Sequence, residues 1–199
     1  MAILDRATIE SMGFASLGDN VHISDRASFY NCSGISLGSN VRIDDFCVLS
    51  AGAGGITIGN YVHVAVYASM IGAGKIALSD FCNISSRVSI FSSNDDYSGE
   101  YMTNPTVPSE FTGVRHADVF IGRHAIIGSG SVILPGAVIE EGVAIGALSL
   151  VKKRCKAFLI YAGSPLRKIA ERRRDFIALE QALLSTSGEH GHRVSNDGE

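Results

Sequence analysis

The sequence predicts an all-β chain wound as a parallel β-helix of about six coils, with an inserted loop and a C-terminal helix. Three observations predict it. Residues 121 to 156 divide into six hexads, IGRHAI, IGSGSV, ILPGAV, IEEGVA, IGALSL and VKKRCK. An aliphatic residue opens each hexad: Ile121, Ile127, Ile133, Ile139, Ile145 and Val151. The fifth position is small, Val or Cys: Ala125, Ser131, Ala137, Val143, Ser149 and Cys155. A helix of 3.6 residues per turn would scatter the aliphatic positions around its cylinder. Short parallel strands joined by tight corners fit period six, with the aliphatic residue inside and the small one at the crowded corner.

The elements follow in order. Residues 1 to 16 form an N-terminal cap, since a parallel stack must close its open edge. The β-helix domain spans 17 to 156. Its early coils begin at Leu17, Leu37, Ile58 and Leu78, which are 20, 21 and 20 residues apart. Three hexads make 18 residues, so each coil carries extra corner residues at Ser33-Gly34, Ala53-Gly54-Gly55 and Ala73-Gly74. The next start, Ile121, lies 43 residues after Leu78. Residues 92 to 118 therefore leave the stack as a polar loop without hexad register, ejected on one face as binding loops are. Residues 157 to 184 hold a C-terminal segment and a helix of about 20 residues. Ser164 serves as its N-cap and Pro165 as its first residue. The basic run ERRR at 171 to 174 is a solvated face of that helix. The tail 185 to 199 is disordered by composition, and its His190 and His192 carry no metal site.

Composition limits the function. The 199 residues are 46% hydrophobic and 19% charged, with net charge -3, so nothing draws the chain to nucleic acid. No stretch approaches the ~20 apolar residues of a membrane span. The N-terminus lacks the basic-then-apolar order of a signal peptide, and a cytoplasmic location is expected. The 22 glycines are expected to supply left-handed corners. Cys47 and Cys82 stand at the fifth position of IDDFCV and LSDFCN, as small buried residues. No CxxC pair supports zinc.

The hexads, the ejected loop and the segment YAGSPLRKI together resemble the left-handed β-helix, hexapeptide-repeat acyltransferases, in particular the branch of galactoside, maltose and nucleotide-sugar acetyltransferases. The resemblance covers residues 17 to about 173. It implies the left-handed coil, acetyl-CoA as acyl donor, a homotrimer, and a cofactor groove between neighbouring prisms. One departure stands out. The maltose and galactoside enzymes have a catalytic His-Pro after a Val-x-Ile-aromatic strand. Here the strand is Val88-Ser89-Ile90-Phe91, and counting from it puts Asp95 and Asp96 at the His and Pro places.

Two catalytic candidates follow. Asp95 could orient an amine and take its proton, although an ordinary Asp is a feeble base for a sugar hydroxyl. His116, alone among the six His in lying in the loop, suits general-base work on a hydroxyl. Asn94, Asp96, Tyr97, Glu100 and Asn104 are candidates for holding a sugar. For the cofactor, Gly128, Ser129, Gly130, Gly146 and Ala147 offer close backbone approach to pantetheine. Lys152, Lys153 and Arg167 offer charge to its phosphates. Three readings are open: an N-acetyltransferase acting on a nucleotide-linked amino-deoxysugar for surface polysaccharide, an O-acetyltransferase acting on a sugar hydroxyl, and a non-catalytic trimeric scaffold.

Overall fold

The structure, a computed structural model, describes residues 2–190. Three parallel sheets run the length of the stack, because each coil gives one short strand to each. The first sheet starts with Ser16–Leu17 and Ile35–Leu37 and ends with Val138–Ile139. The second runs from His22–Ile23 through Ala144–Ile145 to Leu159–Ala162, and the third from Ser28–Tyr30 to Leu150–Val151. Among the described residues the second sheet has a rung more than expected. Ile160 and Tyr161 pair in parallel with Ala144 and Ile145, so the stack has about seven turns. The hexad pattern hides this rung because it ends in a reversal instead of a corner.

The hexad logic is borne out at the first and fifth positions of all six hexads. Ile121, Ile127, Ile133, Ile139 and Val151 are fully buried, with Ile145 at 3% exposure. Ala125, Ala137, Val143 and Cys155 are fully buried at the fifth position. Buried Ser131 and Ser149 also fit there because both hydroxyls donate to the carbonyl of Gly146. Each side chain of this Ile and Val column adds about 1.5–3 kcal/mol by leaving water. Burial also pushes the thiols of Cys47, Cys82 and Cys155 up to about 11, 12 and 11, which suits structural, inert cysteines.

The glycines bear out the expectation only in part: Gly55, Gly130, Gly136 and Gly142 are left-handed, with φ between 64° and 82°. The left-handed place in the first corner is held by Asn20, Asn40, Tyr61, Phe81 and His124, with φ between 52° and 59°. Many glycines instead permit close stacking. A Cβ on Gly38 would lie 2.6 Å from the carbonyl oxygen of Gly59, and one on Gly128 would lie 2.5 Å from the amide of Ala147. The left-handed residues stack into a ladder along the corner. Tyr61 and Phe81 are parallel at 4.8 Å, Phe81 and His124 at 5.0 Å, and Phe176 closes the column 4.7 Å from His124.

The N-terminal cap forms as a short helix, Arg6–Ser11, started by the Asp5 carboxylate accepting the amide of Thr8. The C-terminal helix forms, but not where the sequence starts it. Ser164-Pro165 does not begin a helix; it lies in the turn between Leu159–Ala162 and an antiparallel strand, Arg167–Glu171. Gly163, with φ +98°, and Pro165 after it are turn chemistry. The helix is Phe176–His190, so it runs past residue 185, where disorder was expected. His192 and the rest of the tail lie outside the described residues. Nor is ERRR a helix face. Glu171 ends the strand, and Arg172 donates to the carbonyls of His124 and Val143. No helix of the described residues is long and apolar enough to cross a membrane.

Candidate active site

The loop leaves and re-enters the stack without disturbing it, for Asn83 and Ile84 pair with Ile126 and Ile127 across the insertion. Its neck is a two-residue antiparallel ribbon, Ser93–Asn94 against Arg115–His116. The neck is bolted down at Ser92, fully buried, whose hydroxyl donates to the carbonyl of Gly74 and whose carbonyl accepts the amide of Ala117. Gly72 is required beneath it, since a Cβ there would lie 2.3 Å from the Ser92 hydroxyl.

Side chains on such a ribbon alternate faces. Ser93 and His116 share one face. The Ser93 hydroxyl accepts the amide of Ala73 at 2.7 Å and lies 2.7 Å from His116 Nδ1. Asn94 and Arg115 share the other face, which opens on a notch of about 260 Å³ lined by Asn94, Asp95, Asp96, Tyr97, Ser98 and Arg115. The structure thus gathers four of the expected loop residues and leaves His116 outside that lining.

The gathered residues are not equivalent. Asp96 accepts from the Ser98 amide and hydroxyl and from the amides of Gly99 and Tyr101. Desolvation opposes its charge, but these donors outweigh it and hold the carboxyl below the ordinary aspartate range. Asp96 therefore shapes the loop. Asn104 does the same further out, accepting the amide and hydroxyl of Thr106. Asp95 is exposed, and its carboxylate takes no hydrogen bond or ion pair among the described residues. Tyr97 is 88% exposed, with its ring faces free of aromatic contact. Glu100 and Asn104 lie outside the notch lining.

The expected cofactor residues fall into two groups. Gly128, Ser129 and Gly130 stack directly below Gly146, Ala147 and Leu148 at one corner, with Gly130 under the Leu148 side chain. Lys152 and Lys153 line a second groove, of about 250 Å³, with Leu150, Ser164, Pro165 and Leu166. Arg167 follows at once in the chain. None of these three cations has an ion pair among the described residues, whereas Arg154 is held by Glu140 at 2.7 Å. The YAGSPL turn thus acts as one wall of a basic groove.

The "bacterial transferase hexapeptide (six repeats)" family matches residues 118–153. Over 183 residues the chain is 58% identical to the dTDP-4-amino-4,6-dideoxy-D-glucose acyltransferase of Escherichia coli, covering 92% of this chain and 95% of that one. The chain belongs to the hexapeptide-repeat acyltransferases. The crystal structure of AntD, an N-acyltransferase from Bacillus cereus in complex with dTDP and 3-hydroxybutyryl-CoA, is similar at TM-score 0.90 and 43% identity, covering 94% of this chain and 98% of that one. A maltose O-acetyltransferase from Clostridium difficile 630 shares the fold, at TM-score 0.57 and 21% identity over 85% of this chain and 75% of that one.

A hexapeptide-repeat acyltransferase must take a proton from its acceptor and hold two substrates together. Here Asp95 is an unspent carboxylate in a notch, and His116 is an exposed imidazole with Nδ1 held. Sequence reasoning missed Arg115, whose only signal was its place one residue before His116. It also missed that Phe176 and Glu180 fasten the last helix to Arg123 and His124.

Proposed function

We propose that the chain transfers the acetyl group of acetyl-CoA to the amino group of a nucleotide-linked amino-deoxysugar. The observation that carries the reading is Asp95: an exposed, unpaired carboxylate in the loop notch, with the histidine turned to the other face. In the reaction the amine nitrogen bonds to the thioester carbonyl carbon. The adduct gives one N–H proton to Asp95 as the bond forms. The C–S bond then breaks with its electron pair on sulfur, which takes up the proton, leaving amide and free thiol. An amine needs only orientation and a modest proton sink, which an ordinary carboxylate supplies. Asn94 and Tyr97 flank the sugar, with Glu100 and Asn104 beyond them. Gly128, Ser129, Gly130, Gly146 and Ala147 accept the pantetheine arm, while Lys152, Lys153 and Arg167 meet the coenzyme phosphates.

Solved forms of AntD include variants at an aspartate and at a serine ten positions before it. Two pairs at the loop have that spacing, Ser85 with Asp95 and Ser86 with Asp96. Asp96 is spent on the loop, which favours Ser85 and Asp95. These two flank strand Ser89–Phe91. A homotrimer with sites between subunits is part of the same reading. A cytoplasmic enzyme of surface polysaccharide synthesis fits the substrate. A hydroxyl acceptor with His116 as base is the second reading, favoured by the contact that fixes its ring to Ser93.

The test is thiol release from acetyl-CoA with dTDP-4-amino-4,6-dideoxyglucose, maltose and a galactoside, beside light scattering. Turnover of the amino sugar by a trimer is expected. Turnover of the hydroxy-sugars alone selects the second reading.

A further inference from the structure

Arg115 is the only basic side chain in the loop notch. We propose that it anchors the diphosphate of the nucleotide-linked substrate; this deepens the reading above and rests on it.

Three observations carry the assignment. First, the ribbon places Arg115 opposite Asn94, so both side chains stand on the face that opens on Asp95. The backbone ladder fixes where the guanidinium starts, and Ser92 fixes the ladder. Second, Arg115 is unspent. Its guanidinium has no ion pair within 4.0 Å and no hydrogen bond among the described residues, although two carboxylates share its notch. Other arginines of the stack are committed: Arg123 to Asp80 and Glu180, Arg154 to Glu140, Arg172 to two carbonyls. Third, the notch is otherwise acidic. A substrate that offers an amino group to Asp95 carries two phosphate charges on the far side of its sugar ring, and these need a cation nearby. A guanidinium fork meets phosphate oxygens in pairs, which a lysine cannot do. The volume of about 260 Å³ is below the ~300 Å³ at which pockets hold whole ligands, so it suits the sugar and its first phosphate, with the nucleoside outside.

The experiment measures dTDP binding by calorimetry to the wild-type chain, Arg115→Ala and Arg115→Lys, with circular dichroism as the folding check. The KM for dTDP-4-amino-4,6-dideoxyglucose and for its phosphate-free methyl glycoside is measured on the same proteins. Arg115→Ala should weaken dTDP about tenfold or more, as loss of a charge-assisted pair does. It should raise the KM for the dTDP-sugar in parallel and leave that for the methyl glycoside and acetyl-CoA unchanged. Arg115→Lys should retain part of the affinity. Should Arg115→Ala misfold, a weakening by the folded Lys variant decides. Equal dTDP binding by folded variants and wild type overturns the assignment, as does a wild type that binds no dTDP. Arg115-dependent dTDP binding without acylation of any amino sugar keeps it and sinks N-acylation instead.

Discussion

The Ser93 hydroxyl and His116 Nδ1 lie 2.7 Å apart, and that contact holds the loop's histidine on the ribbon face opposite Asn94 and Arg115. Ser93 is itself fixed by the Ala73 amide, so the imidazole is referenced to the stack and not to the outer end of the loop. Asp95, beyond the end of the ribbon, lies in the notch lining, which His116 does not join. The two candidate bases are thus held apart.

The first prediction uses that separation. Asp95→Asn should lower turnover of the amino sugar about a hundredfold, the lower part of the range for general-base catalysis. His116→Ala should lower it less than about fivefold, because it loses only a tie to Ser93. Steady-state kinetics on both variants decides. Full turnover by Asp95→Asn with a hundredfold loss in His116→Ala would move the base to His116.

Most of the fold was legible and only part of the site. Period six reports burial directly, because Ile127 or Ala137 has one place to go once the coil is set. The loop was legible as an interruption, 43 residues where 20 belonged. What was hidden depends on contacts between distant segments. Ser164-Pro165 reads as a helix start until Ile160 is seen pairing with Ala144. Arg172 reads as one charge in a run until the carbonyl of His124 receives it. Asp95 and Asp96 look alike in sequence and differ only because the loop folds its amides onto one of them.

The second prediction concerns the basic groove. Lys152→Ala, Lys153→Ala and Arg167→Ala should each raise the KM for acetyl-CoA several-fold and leave kcat less affected, the pattern of lost uniform binding. Acetyl-pantetheine, which lacks the nucleotide phosphates, should not distinguish the variants from wild type. An equal loss with both donors would remove these residues from phosphate binding.

The third prediction concerns the last helix. Phe176 is half-buried against His124, and Glu180 binds both Arg123 and His124. Phe176→Ala should cost about 2 kcal/mol of local stability, less than the 3–5 of a fully buried ring. Hydrogen exchange should show the helix amides losing protection while those near Ile90 keep theirs. Uniform loss across the stack would mean that the helix is part of the core.

The last prediction is a pH dependence. Asp44, only 6% exposed, accepts Arg42 Nε at 2.7 Å and contacts His63 Nε2 at 2.9 Å. Desolvation opposes its charge, but the bonds from His63 and Arg42 outweigh it and hold its carboxyl below the ordinary 3.8. A carboxyl whose folded pKa is depressed binds protons more readily unfolded, so stability rises with pH across the window between the two values. The contribution is complete above about pH 5 and is lost as pH falls through 3.8 toward the depressed value. Asp44→Asn should therefore be about 1 kcal/mol less stable at pH 7, near the low end for charged hydrogen bonds because Arg42 and His63 are exposed. Thermal unfolding at pH 7, 5 and 3 should show the gap from wild type persisting at 5 and closing at 3. A gap that stays constant to pH 3 would mean that Asp44 is held by its shape and not by its charge.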